Sequence, residues 1–157
     1  MTLKAVLLNC TLKKSPEVSN TEALMEIVIG HLNDLDVECE LIRPVDYAIP
    51  FRVVSDMGAG DEWPQILDKI LAADILIIGT SIWFGVRNSV SQMVIERLDG
   101  TYESRNDVGQ YPMYNKVAGV VVKTAGWMAH NVVHLARMLK QHPIPAEGNT
   151  VPCKHAG

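Results

Sequence analysis

Residues 74–85 read DILIIGTSIWFG. The apolar run that closes at Gly79 shows no polar alternation, the pattern of a strand covered on both faces. The loop TSIWFGVRN follows, and then a helix over Ser89–Leu98 with Val90, Met93, Val94 and Leu98 on one side. Upstream, Asp61 can cap another helix, with Pro64 tolerated in its first turn. Ile66, Leu67, Ile70 and Leu71 give that helix a buried stripe. A buried strand between two amphipathic helices is the repeating unit of a parallel α/β sheet.

The same unit recurs outward in both directions. Leu3–Leu8 is a second continuous apolar run, and a helix follows from Ser19 to about Asn33 with Leu24, Ile27, Val28 and Leu32 at helical spacing. Ser19 and Glu22 fit a capping box. Val37–Ile42 (VECELI) alternates apolar and polar residues, as a strand nearer a sheet edge does. Pro44, Pro50, Gly58 and Gly60 mark a loop, and Asp99–Asn115 reads as an extended polar one. AGVVV within Lys116–Lys123 is a further buried strand, and Trp127–Lys140 a fourth helix stopped by Pro143. The order β-α-β-α-β-α-β-α predicts one domain over 1–157, with a parallel sheet, right-handed crossovers and helices on both faces.

Composition excludes several partners. At 157 residues, 48% hydrophobic and 20% charged, the chain has the make-up of a soluble globular protein. A net charge of −4 gives no reason to expect nucleic acid or an anionic membrane surface. No apolar stretch approaches the roughly 20 residues that span a bilayer, and no signal peptide is evident. Cys10, Cys39 and Cys153 are too few and too scattered for a disulfide framework or a zinc site, so a reduced cytoplasmic setting is expected.

In an open sheet of this kind ligands sit beyond the carboxyl ends of the strands. Loops 9–20, 79–88 and 123–127 should converge there. The first offers hydroxyls at Thr11, Ser15, Ser19 and Thr21, an amide at Asn20, charge at Lys13 and Lys14, and the N–H groups of a helix start. It holds no glycine, the usual means of bringing backbone close to a phosphate. A capped connector has the same residue types. Glu22 in the first helical turn works against a phosphate. The second loop sets Trp83 beside Phe84, with Gly85 allowing a sharp exit; the pair suits a planar ring or a subunit interface. The third, KTAGW, leaves room for a ligand edge and presents N–H groups.

These loops resemble those of the flavodoxin-like NAD(P)H-dependent FMN reductases. Asn9-Cys10-Thr11-Leu12-Lys13 with Ser19-Asn20-Thr21 is similar to that family's N-G-S-P-R-K-x-(G/S)-N-T, and Gly79-Thr80-Ser81-Ile82-Trp83-Phe84-Gly85 to its G-S-P-x-Y-W-G. Cys10 replaces its glycine, Ser81 its proline, and Trp-Phe its Tyr-Trp. The resemblance implies a three-layer flavodoxin-like α/β fold with parallel order 2-1-3-4-5. Only Asn149–Cys153 remains for the fifth strand, which should therefore be short or missing. It implies FMN phosphate at Thr11, Lys13, Ser19, Asn20 and Thr21, and ring and ribityl contacts at Thr80, Ser81, Ile82, Trp83, Phe84 and Gly85. Pyrimidine-edge contacts would fall at Thr124, Ala125 and Gly126. NADPH or NADH would reduce FMN, and the electrons would pass to a small acceptor such as a flavin or quinone. No side chain is expected to be a catalytic acid or base, and a homodimer or homotetramer is expected.

Two other classes fit the same residues: an electron-transfer flavoprotein served by a partner protein, and a binding protein that kept the fold and lost the cofactor. Cys10 reads as a small buried hydrophobe rather than a redox thiol. His130 and His134, at i and i+4, read as ordinary helix residues rather than a metal pair.

Overall fold

The computed structural model describes residues 2–122 and 125–144, with backbone alone for 125–131. In chain order the elements are β1 (Leu3–Cys10), α1 (Asn20–Asn33), β2 (Val37–Ile42), α2 (Trp63–Ala72) and β3 (Ile75–Thr80). A hairpin of β4 (Ile82–Trp83) and β5 (Val86–Arg87) follows, then α3 (Ser89–Asp99), β6 (Val117–Val121) and α4 (Ala125–Gln141). The main strands pair in parallel in the order β2-β1-β3-β6, four positions of the expected five. Asn149–Cys153 lies outside the described residues. VECELI is an edge strand, as its alternation predicts.

Alternation along the strands divides the core in two. Leu3, Ala5, Leu7, Ile75 and Ile77 face Met25, Val28 and Leu32 of α1 and Val132, Val133 and Ala136 of α4. Val6, Leu8, Cys10 and Leu76 face Trp63, Ile66, Leu67 and Ile70 of α2 and Val90, Met93 and Val94 of α3. Each fully buried side chain of this size stabilises the fold by about 1.5–3 kcal/mol relative to exposure. Cys10 belongs to the second cluster, and burial pushes its thiol pKa up to about 12. It is a packed hydrophobe with no thiolate to offer.

Several expectations are corrected. On α1 the buried position is Met25 and not Ile27, which is exposed. The reason lies on β3: a Cβ at Gly79 would stand 2.4 Å from Met25 Sδ, so the missing side chain is what seats the methionine. β1 runs two residues past Leu8, because Asn9 and Cys10 still pair with Gly79 and Thr80. β3 is displaced by one residue and ends at Thr80. The N-cap of α2 is Glu62, while Asp61 serves from one residue further out by accepting from Trp63 N at 3.0 Å. α4 opens at Ala125, so Ala125 and Gly126 form its first turn instead of a loop.

The stretch after β3 is the largest local departure. It is a two-stranded antiparallel hairpin, with Ile82 paired to Arg87 and Trp83 to Val86. Phe84 and Gly85 turn it at φ of 51° and 81°, the two positive values a tight hairpin turn of this hand requires. Glycine adopts that conformation freely, and phenylalanine does not.

Candidate functional site

Parallel pairing fixes where the loops emerge. Cys10 is opposite Thr80, and Gly79 is opposite Val121, so the segments after β1, β3 and β6 leave one edge of the sheet side by side. Asn88 joins the first two. Its side-chain amide donates to the Cys10 carbonyl at 2.5 Å and to Ser81 Oγ at 2.9 Å, while its oxygen accepts from Ser91 N at 2.9 Å and caps α3. One buried residue thus holds the end of β1, the root of the hairpin and the start of a helix together.

In the first loop Thr11 is buried, and its hydroxyl accepts from Lys13 N at 3.3 Å. Lys13 is exposed, and its ammonium donates to the Val18 carbonyl at 3.0 Å, across its own loop. Ser19 is the N-cap of α1 and accepts from Glu22 N at 3.2 Å. Asn20 is exposed and Thr21 half-buried, in the first turn. The amides of Asn20 and Thr21 precede any possible intrahelical acceptor, so they lie open to an anion at the positive end of the helix.

Glu22 does not spoil that site. Its carboxylate forms an ion pair with Arg43, whose side chain is only 9% exposed, and accepts from the Asn9 amide at 3.5 Å. The reciprocal half of the capping box is not among the hydrogen bonds formed, because Arg43 has taken the carboxylate. Lys13, Lys14 and the helix dipole supply the positive field at the start of α1, opposed in the loop by the Asp46 carboxylate, which accepts from Ser15. The residues present fit a phosphate.

In the second loop Thr80 is a buried strand end, with its hydroxyl 2.9 Å from Ser91 Oγ. Ser81 Oγ accepts from Trp83 Nε1 at 3.1 Å as well as from Asn88, so the indole is steered by its own loop. Trp83 is 58% exposed, Phe84 is fully exposed at the turn, and Ile82 and Val86 are exposed beside them. No part of the hairpin is core. Thr124 lies outside the described residues, and Ala125 and Gly126 begin α4.

Asn88, Arg43 and Asp46 shape this edge and are absent from the residues that the sequence motifs single out. A legible signal existed for Asn88, a good capping residue one position before the Ser89 helix. None existed for the other two. Among the described residues there is no cluster of three or more His, Cys, Asp or Glu that could hold a metal, and no helix long and apolar enough to cross a membrane. His134 is exposed, and the side chain of His130 is not among those described.

An open parallel sheet between two helical layers, with a donor-rich first loop and an aromatic second one on its carboxyl edge, defines a protein of the flavodoxin-like class. Within that class the chain belongs to the NADPH-dependent FMN reductase family, whose model matches residues 3–153. It is 36% identical over 141 residues to 8-demethyl-8-aminoriboflavin-5'-phosphate synthase of Streptomyces davaonensis, covering 84% of this chain and 55% of that protein. It is 30% identical over 114 residues to an iron-sulfur flavoprotein of Archaeoglobus fulgidus, covering 69% and 54%. The chain thus spans about half the length of each of these relatives. The crystal structure of RosB with bound 8-demethyl-8-formylriboflavin-5'-phosphate superposes with a TM-score of 0.79 at 27% identity, over 91% of this chain and 82% of that one.

Proposed function

We propose that the chain is an FMN-dependent oxidoreductase that takes hydride from NADPH or NADH and passes electrons to a small acceptor. The observation that carries this is the pairing, on one sheet edge, of an open helix N-terminus with an exposed aromatic hairpin. The first suits a phosphate and the second a flat ring. Thr11, Lys13, Ser19, Asn20 and Thr21 would hold the phosphate. Thr80, Ser81, Ile82, Trp83, Phe84 and Gly85 would hold the ring and ribityl chain, and Thr124, Ala125 and Gly126 the pyrimidine edge. When bound, FMN supplies the redox chemistry itself.

The chain's own part is to bind and orient. Lys13 and the first-turn amides hold negative charge, Asn88 keeps the two loops at a fixed separation, and the hairpin excludes water from one side. A homodimer or homotetramer in the cytoplasm completes the proposal. The exposed hairpin and the unpaired outer edge of β6 among the described residues support the first; the low cysteine count supports the second.

A second proposal rests on the relatives. One is named for making a modified riboflavin 5'-phosphate, and the RosB structure holds another such molecule. Here the flavin phosphate would be a reactant rather than a retained cofactor. One experiment separates the two. The purified chain is titrated with FMN and with riboflavin, NADPH or NADH is added anaerobically, and the flavin is recovered for mass spectrometry. Tighter binding of FMN, bleaching by the nicotinamide and an unchanged mass are expected. A changed flavin mass would favour the second proposal, and no flavin binding at all would sink both.

A further inference from the structure

The first loop bends without glycine, and the structure shows what bends it. Arg43 precedes and Asp46 closes a single 3₁₀ turn, Pro44–Asp46, and Asp46 N donates back to the Arg43 carbonyl at 3.0 Å. Pro44 is buried and sets the backbone angle of that turn. Both charged side chains point from it onto the loop between β1 and α1. Arg43 Nη1 donates to the carbonyls of Lys13 at 3.3 Å and Glu17 at 3.1 Å, and Nη2 pairs with Glu22 at the helix start. Asp46 accepts from Ser15 N at 2.8 Å and Ser15 Oγ at 2.6 Å.

We infer that Arg43 and Asp46 are positioning residues that impose the phosphate-binding shape on loop 11–19, in place of the glycine that loop lacks. This rests on the proposal that the loop holds a phosphate. A loop free to sample many shapes must be ordered when the anion binds, and that ordering subtracts from affinity. Here the ordering is done in advance from the end of β2. Arg43 also removes the one negative charge in the first turn of α1. The planar fork of the guanidinium reaches two carbonyls and a carboxylate together, which an ammonium on a flexible stem cannot do.

Among the described residues the side-chain hydrogen bonds of the clasp go to the loop and the start of α1, whereas the aromatic hairpin is held by Asn88. Its loss should therefore be felt by the phosphate and not by the ring. The test compares FMN and riboflavin affinities of the full chain in the wild type, Arg43→Lys, Asp46→Ala and Asp46→Asn, with melting curves to confirm folding. Asp46→Asn keeps an acceptor for Ser15 N and gains a donor for its hydroxyl, so it is the conservative rescue. Arg43→Lys and Asp46→Ala are each expected to weaken FMN about tenfold, the scale of one or two net hydrogen bonds, and to leave riboflavin unchanged. Asp46→Asn should hold FMN nearly as the wild type does. If Asp46→Ala fails to fold, Ser15→Ala carries the same expectation with a smaller loss of FMN. A wild-type preference for FMN that survives in Arg43→Lys and Asp46→Ala, or an equal loss of both flavins, overturns this inference alone. A wild type that holds both flavins equally overturns the phosphate site itself, and the inference with it.

Discussion

Asp61→Ala is expected to cost the fold about 3–5 kcal/mol, the penalty for stripping the partner from a buried charge. The charge is Arg97, whose side chain is fully buried on α3, and Asp61 beside it is 1% exposed. The guanidinium also donates to the carbonyls of Pro50 at 3.3 Å and Ser55 at 3.4 Å, and its carbon lies 5.9 Å from the centre of the Trp63 ring. One arginine therefore ties the long segment between β2 and α2 down onto α3. Gly100 completes the seat: a Cβ there would stand 2.3 Å from the Val54 carbonyl carbon. Urea melts of the wild type and Asp61→Ala measure the loss, and a difference under 1 kcal/mol would remove the pair from the account of stability. Asp61→Leu with Arg97→Met should recover part of the loss, because an apolar pair avoids the desolvation cost, while the Met57 and Trp63 amides still lack their acceptor.

The sign of the pH dependence follows from the same contacts. Burial raises the Asp61 pKa, but the Trp63 amide, the Arg97 guanidinium and the Met57 amide lower it more, so the folded value lies below the usual carboxylate range. The native state holds this carboxylate more tightly than the unfolded chain does. Its stabilisation is present above the ordinary pKa of about 4 and is lost as pH falls through the lower folded value. The gap between wild type and Asp61→Ala should narrow at acid pH and stay constant from pH 6 to 8 (roughly two units or more above that pKa).

What was legible in the sequence were features whose cause is local. The apolar runs of β1, β3 and β6 and the stripes of α2 and α3 follow from neighbours a few residues apart, and the layered parallel fold follows from their order. The helix start at Ser19 was legible for the same reason. Contacts made across the chain were not. Asn88 meets Cys10 at a separation of 78 residues, Asp46 meets Ser15 at 31, and Arg97 meets Asp61 at 36. No periodicity carries such pairings. Arg97 did leave a trace, since it continues the buried spacing of Val90, Met93 and Val94. A charge at a core position signals a buried partner, and Leu98, which packs against the same core, completes the apolar stripe beside it. At the site, Phe84-Gly85 carries no hairpin signal of its own, because Phe-Gly is not the Asn-Gly pair that marks a tight hairpin.

Asn88→Ala tests whether the two loops form one site. Its removal deletes the cap of α3, about 1 kcal/mol, and leaves the Cys10 carbonyl without its donor, about 1–3 kcal/mol more. A total loss near 2–4 kcal/mol is therefore expected in urea melts. Asn88→Asp separates the parts: it keeps the acceptor for Ser91 N but puts an acceptor where Cys10 needs a donor. It should retain the cap and still lose the tie. The effect on flavin should differ in kind from that of the Arg43 and Asp46 variants. Those disturb the phosphate loop alone, whereas Asn88 sets the hairpin against the end of β1, so the ring, which FMN and riboflavin share, loses its platform. FMN and riboflavin affinities are expected to fall by the same factor, at least about tenfold for the loss of a buried hydrogen-bonded tie. A variant that melts early yet binds both flavins as the wild type does would show that the hairpin is positioned by something other than Asn88. One that loses FMN alone would place the aromatic hairpin outside the flavin site.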